Sequence, residues 1–315
     1  MAALPLLLLA LLLLPAQTAL AGHVGCGSVI TTDTMLDSDV VCEGETYGVT
    51  AIVIAADGVT LDLAGHTVSG ERAYDDSSNG VATDGTRAGV TVRGGTVIGF
   101  GAGLDLAASN SVIERLRIRD NGGVALQIDG DRNSVRRTDV HHTAETGIYV
   151  VGTGAVLERN RVRGMLACMW VVGDRTRMVH NLLADCYAAG LMSGYTAATF
   201  ERNTVIGNAS GFYVSGEGAV VRQNAFSRNA AGGLTVIDPR AIVDRNIASE
   251  NGFESDSNPQ GGIEVFTAGT VVSRNRADLN ADYGIYAVPG VVDGGGNRAR
   301  GNGNPLQCLN VACRR

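Results

Sequence analysis

Short apolar stretches alternate with glycine and asparagine at a fixed interval along this chain. A fourteen-residue block, GIYVVGTGAVLERN, runs from Gly147 to Asn160 and returns as GFYVSGEGAVVRQN (Gly211 to Asn224) and GIYAVPGVVDGGGN (Gly284 to Asn297). The frame also fits Gly103–Leu116, Ala125–Thr138, Cys168–Asn181, Gly190–Asn203, Gly233–Asn246 and Gly262–Asn275. Nine blocks thus close at steps of 22, 22, 21, 22, 21, 22, 29 and 22 residues. Self-similarity at such a period predicts a repeat architecture. Within a block, the second and fourth residues point one way and the third the other, the period of an extended chain. The second position is apolar throughout: Leu104, Leu126, Ile148, Met169, Leu191, Phe212, Leu234, Ile263, Ile285. A second alternating run surrounds position eleven. A third apolar residue falls two past the corner (Ile118, Val140, Val162, Leu183, Val205, Phe226). Three short strands cannot close a core within one repeat. They can if successive turns stack and parallel strands pair along a common axis. The pattern predicts an all-β solenoid.

A 22-residue turn with an Asn corner resembles the right-handed parallel β-helix superfamily, the fold of pectate lyases and alginate epimerases. The resemblance covers roughly Val49 to Asn304. It implies a single-stranded right-handed parallel β-helix of about 10–11 coils, and right-handed crossovers are also the general expectation for parallel strands. The scaffold hosts many functions, so it says little about activity. Residues 22–48 read as an N-terminal cap, 49–304 as the β-helix and 305–315 as a C-terminal cap.

Residues 1–21 read as a signal peptide. Leu6–Leu14 is too short to span a bilayer, and Ala19-Leu20-Ala21 fits a small-x-small cleavage site. The alternative is an uncleaved N-terminal anchor; no later stretch is apolar and long enough to cross a membrane. The expectation is a secreted, periplasmic or cell-surface protein. The 25 Lys+Arg, all of them Arg, stand against 32 Asp+Glu, for a net charge of −7. That balance disfavours nucleic acid as a partner. In an oxidising compartment, Cys26 with Cys42 and Cys308 with Cys313 should form disulfides that staple ends lacking a stacking neighbour. Cys168 and Cys186 lie on adjacent turns about four residues out of register, which argues against a bond between them.

Candidate binding residues follow from the third, outward position of each block. It reads Asp105, Gln127, Tyr149, Trp170, Met192, Tyr213, Thr235, Glu264, Tyr286. Stacked strands lie about 4.8 Å apart, so consecutive members nearly touch. An aromatic track with acidic ends suits a polysaccharide; against this, aromatic residues favour strand surfaces anyway. Two polar insertions, around Ser69–Asn79 and Asn251–Gln260, fall at one corner beside this strand. On the opposite face, Arg precedes the corner in six blocks (Arg115, Arg137, Arg159, Arg202, Arg245, Arg274), often after an acid. It reads as a solvated face of weak ion pairs. The corner asparagines should form an amide ladder and adopt the left-handed conformation of a sharp turn.

Candidate catalytic residues are Asp120 and His142, each four past its corner and therefore stacked, with Arg119, His141 and Arg163 in the column beside them and Tyr149 on the next strand. A uronate lyase or C5-epimerase must neutralise a carboxylate and move the C5 proton. Arg can do the first and His or Tyr the second, with Asp orienting the imidazole. The set resembles the Tyr/His/Asp plus basic residue of alginate epimerases, but their Asp-Pro-His signature is missing: Asp238-Pro239 is followed by Arg240. No cofactor is expected. Asp131, Asp174 and Glu217 recur on alternate turns, about 10 Å apart and too far to share one Ca²⁺. Soft ligands crowd two turns (Met165, Cys168, Met169, Met178, His180, Cys186, Met192), which keeps open a copper-accessory role. The leading expectation is an exported protein that binds a polysaccharide, with processing as a uronate lyase, C5-epimerase or glycosidase left open. The rival is a non-catalytic surface or structural β-helix.

Overall fold

The computed structural model describes residues 20–21, 23–44, 48–71, 77–193, 196–253 and 261–314. The stretch read as a signal peptide falls outside these, apart from Leu20 and Ala21, which pair with Thr34 and Met35. Asp75, Asp76, Glu254 and Asp256 of the two insertions also lie outside them. Among the described residues every regular element is a strand and every pairing is parallel. The chain winds through about 12 turns of about 22 residues. That exceeds the 10–11 expected because the segments read as caps join the stack. Ser28–Ile30 pairs with Thr50–Ile54, and Cys308–Leu309 with Ile285–Ala287.

Each turn crosses three faces. Sheet 1 contains the strand after each small residue, for example Thr146–Val151 and Ala167–Val172. Face 2 holds strands such as Val156–Glu158, and face 3 strands such as Arg161–Arg163. Faces 2 and 3 join as one 24-stranded sheet because Thr91–Ile98 and Val112–Arg119 run unbroken around their shared corner. The inward columns Leu104, Leu126, Ile148, Met169 and Ile113, Val135, Leu157, Met178 are at most 1% exposed. Removing those columns from water is what favours stacking over isolated turns.

The corners differ from expectation in an instructive way. The left-handed residue is not the asparagine but the one before it: Arg115, Arg137, Arg159, Arg202, Arg245 and Arg274 have φ of 51–55°. That single left-handed step turns the chain, and the next side chain then points into the core. Asn160, Asn181, Asn203, Asn224, Asn246, Asn275 and Asn297 are therefore at most 2% exposed and hydrogen-bond from rung to rung. The acids of the solvated face are also less exposed than expected. Glu201 and Asp244 are 4% and 5% exposed, each held between two arginines.

A second ladder, five residues after the first, joins Asn208, Asn229, Asn251, Asn280 and Asn302 and ends on Gln307. Earlier turns break it with Thr143, Met165 and Cys186. The buried Asn121 Nδ2 and Thr143 Oγ1 at the break have no hydrogen-bond partner. Here Cys168 and Cys186 are bonded, with Cα atoms 5.8 Å apart, contrary to the register argument. Cys186 occupies the inward ladder position at the corner between face 3 and sheet 1. Cys168 starts the adjacent sheet 1 strand, and the corner brings the two inward side chains together. Cys26–Cys42 and Cys308–Cys313 are bonded at the two ends.

Candidate functional site

On the outer face of sheet 1, Asp105, Gln127, Tyr149 and Trp170 are directly paired on four successive turns. The backbone register continues through Leu191 to Tyr213, Thr235, Glu264 and Tyr286. Met192 does not belong to it: its backbone pairs with Val171 and Val214, one position further along. The repeat frame slips because Gly190 fills the slot taken elsewhere by a large apolar residue. A Cβ there would lie 2.1 Å from the Met169 carbonyl oxygen and 3.1 Å from the Phe212 ring. Phe212, stacked on Phe200 with centroids 4.1 Å apart, supplies the missing volume from the neighbouring turn.

Tyr149 and Trp170 meet edge to face, with centroids 6.1 Å apart, and Trp170 is 43% exposed. Such ring pairs gain about 0.5–1.5 kcal/mol beyond area burial. At the far end Tyr286 packs between Phe266 and Tyr283. At the near end, Gln127 Nε2 donates to Asp129 Oδ2 at 3.2 Å. Asp129, paired with Ala107, is an outward residue of the same face two positions on. Burial raises the pKa of the Asp105 carboxyl, and the Asp129 charge raises it further. Column counting missed Asp129, although the alternation itself puts the fifth position of a block outward along with the third.

Glu264 points outward yet is 7% exposed, because glycines make room for it. Its carboxyl lies where a side chain on Gly232 would otherwise stand, 3.1 Å from that position's ideal Cβ. The Gly261 amide and Thr235 hydroxyl donate to it at 2.8 and 3.1 Å. Burial pushes its pKa up against those hydrogen bonds, with the Asp282 charge adding to the rise. A raised folded pKa means the folded state holds the proton more tightly than the unfolded chain. The associated stability is present below the ordinary value of 4.5 and is lost as pH rises through the folded value. Glu264→Gln has no charge to bury. Its melting temperature should gain on the wild type as pH rises from acid into the neutral range. A difference that stays constant with pH would refute this account.

The corner candidates form a second group. Asp120 and His142 occupy successive left-handed positions between face 3 and sheet 1, each with φ of 54°. Gly164 follows on the next turn, its ideal Cβ 3.5 Å from His142 Cδ2. Arg119 donates to Asp120 at 2.6 Å, so the carboxylate's closest partner is its chain neighbour. His142 meets His141 edge-on at 5.2 Å. Asp139, not foreseen from the sequence, lies 3.5 Å from His141 Nδ1 and 3.9 Å from Arg163 Nη2. Burial lowers the His141 pKa; Asp139 opposes this, while Arg163 and His142 add to it. Arg119, His141 and Arg163 thus share the outer column of face 3, whereas Tyr149 stands on sheet 1 against Trp170. Among the soft ligands, Cys168 and Cys186 are committed to a disulfide, and Met169 and Met178 are solvent-free core.

The family model for the right handed beta helix region matches residues 42–188 and 188–303. Among solved structures, the A-module of mannuronan C-5 epimerase AlgE4 from Azotobacter vinelandii is 15% identical. The match covers 92% of this chain and 91% of that one, with a TM-score of 0.65. DFA-IIIase from Arthrobacter chlorophenolicus A6, without its lid, is 13% identical over 91% and 88% of the two chains, with a TM-score of 0.56. Pectate lyase Pel9A is 15% identical over 91% and 74%, with a TM-score of 0.50. At these identities the likeness is one of fold. No curated protein matches the chain.

Proposed function

From the premise that this chain belongs to the right-handed beta-helix family, we propose that it is an exported protein that binds a polysaccharide along the outer face of sheet 1 and cleaves it there. The reading is carried by the Tyr149–Trp170 pair, which stands in register with Asp105 over four successive rungs, with Asp129 two positions along the same face. Flat rings pack on the apolar faces of sugar rings, while Gln127 and the carboxyls can bind hydroxyls. Cleavage of a glycosidic bond needs a proton donor beside a second carboxylate. Asp105, with its raised pKa, and Asp129 fill those roles. Three disulfides suit an oxidising compartment.

The test is calorimetric binding of the purified protein to a panel of polysaccharides. Trp170→Ala should weaken the best ligand about tenfold, equivalent to about 1.4 kcal/mol, with little change in melting temperature. Binding that survives both Trp170→Ala and Tyr149→Ala intact would show that the ligand lies elsewhere, or that the face is only strand surface.

A further inference from the structure

Among the described residues, the long strands of sheet 1 present no cation to a ligand; the nearest arginines, such as Arg132, stand at the corner beyond them, where Arg132 is held by Asn110. Sheet 1 strands Thr50–Ile54, Asn79–Thr83, Ala102–Ser109, Leu126–Asp129, Thr146–Val151 and Ala167–Val172 contain no Arg, Lys or His. The same is true of Ala188–Ser193, Ser210–Ser215, Leu234–Val236, Ile263–Val265 and Ile285–Ala287. Their only acidic residues are Asp105, Asp129 and Glu264. Arg87, on the two-residue strand at the sheet's edge, is tied to Asp84. Yet the chain has 25 basic residues. Faces 2 and 3 carry many of them, and there acids are matched, as with Glu201 and Asp244 between their arginines. Charge is therefore sorted by face.

We infer that the glycan taken by sheet 1 is uncharged, a neutral polysaccharide rather than a polyuronate or a sulfated polymer. The inference rests on the reading of sheet 1 as the glycan-binding face and names its substrate class. A polyanion laid over several rungs would set its carboxylates against Asp105 and Asp129, within the screening length of about 8–10 Å and with no Arg on these strands to pair with. The raised pKa values of Asp105 and Glu264 agree with a face that offers nothing positive to hold a carboxylate ionised. Reaction class follows from the same fact. Elimination and C5 epimerisation build negative charge next to a uronate carboxylate and need a cation there. The arginines suited to it, Arg119 and Arg163, project from face 3. Hydrolysis of a neutral glycoside makes no such demand. The two named uronate-polymer enzymes therefore share this chain's fold without sharing its ligand class.

The experiment compares neutral polymers (β-glucan, mannan, fructan) with alginate and polygalacturonate, at low and high NaCl, with calcium and with chelator. The expected result is a neutral ligand bound at least about tenfold more tightly than either polyuronate, with affinity indifferent to salt. Residual polyuronate binding should strengthen as salt screens the repulsion, and should rise in an Asp105→Asn/Asp129→Asn double variant. Polyuronate bound as tightly as any neutral polymer, in calcium or chelator, and weakened by Trp170→Ala would overturn the neutral-ligand inference while leaving the binding face standing. If no polymer of either class binds, the proposed function falls and this inference with it.

Discussion

Asn203→Ala should destabilise the solenoid by about 3–5 kcal/mol, the range expected when a buried polar network loses a member. Asn203 is 1% exposed. Its amide donates to the Met178 carbonyl at 2.8 Å and to Asn224 Oδ1 at 3.1 Å. Its oxygen accepts from the Asn181 backbone at 2.8 Å and from Asn181 Nδ2 at 2.9 Å. Alanine fills too little volume to repair any of these, and it removes partners from groups on both neighbouring turns at once. Each stranded group costs about 1–3 kcal/mol, reduced by whatever relaxation the corner permits. Asn203→Asp should be worse at neutral pH, because a carboxylate accepts but cannot donate to Met178 or Asn224. Acid should return part of the loss by supplying a proton. Chemical denaturation followed by circular dichroism measures the effect, with exposed Thr204→Ala as the control. A loss below about 1 kcal/mol would mean that the ladder decorates the stack rather than holding it.

The solenoid was legible because its two strongest signals are independent of packing detail. The apolar second position and the 21- or 22-residue step follow from strand alternation and from the circumference of a turn. What failed to read were exchanges of volume between turns. Gly190 looked like the first residue of its block because most blocks begin with glycine. Only the stacked rings of Phe200 and Phe212 reveal that a neighbour has supplied the bulk that Gly190 lacks. Cys168 and Cys186 looked out of register for a similar reason. Register counts positions along strands, and the two sulfurs meet at a corner, across a break in an asparagine ladder. That second ladder was available in the sequence as a second Asn five residues after the first. It was obscured by the turns where Thr143, Met165 and Cys186 replace it.

Site residues were legible as columns and not as pairs. Spacing placed Asp120 and His142 on successive turns, as the structure has them, but it could not show that Arg119 takes Asp120 through the adjacent residue. Nor could it show that Asp139, two residues before His141, shares the histidine's surroundings. In-and-out alternation likewise says that Glu264 faces outward, and nothing about Gly232 and Gly261 leaving a notch in which it is buried. Column reasoning thus finds the surface on which a ligand could lie. Which carboxyl keeps its proton depends on diagonal neighbours, and here that relation joins Asp105 to Asp129.

Asp105→Asn should lower glycan cleavage by about 10²–10⁴-fold while leaving affinity within a few fold, the loss expected when a general acid is removed. Asp105 stands between solvent-free Leu104 and Leu106 on a half-buried strand face. Burial and the charge of Asp129 make its carboxyl keep its proton to a higher pH than a free aspartate. In the proposed step that proton passes to the glycosidic oxygen as the C–O bond breaks. Water, giving its proton to Asp129, bonds to the anomeric carbon. Asparagine has the same shape and hydrogen-bonds to hydroxyls but has no acidic proton to give. Release of reducing ends from the best-bound neutral polymer measures the rate. The pH dependence provides a second readout. Asp129→Asn removes the like charge, so the Asp105 titration followed by carboxyl-carbon NMR should move toward lower pH, in the direction of the ordinary 3.8. An Asp105→Asn protein that keeps more than about a tenth of wild-type activity would remove Asp105 from the chemistry. A wild type that binds but releases no ends would reduce sheet 1 to a binding face.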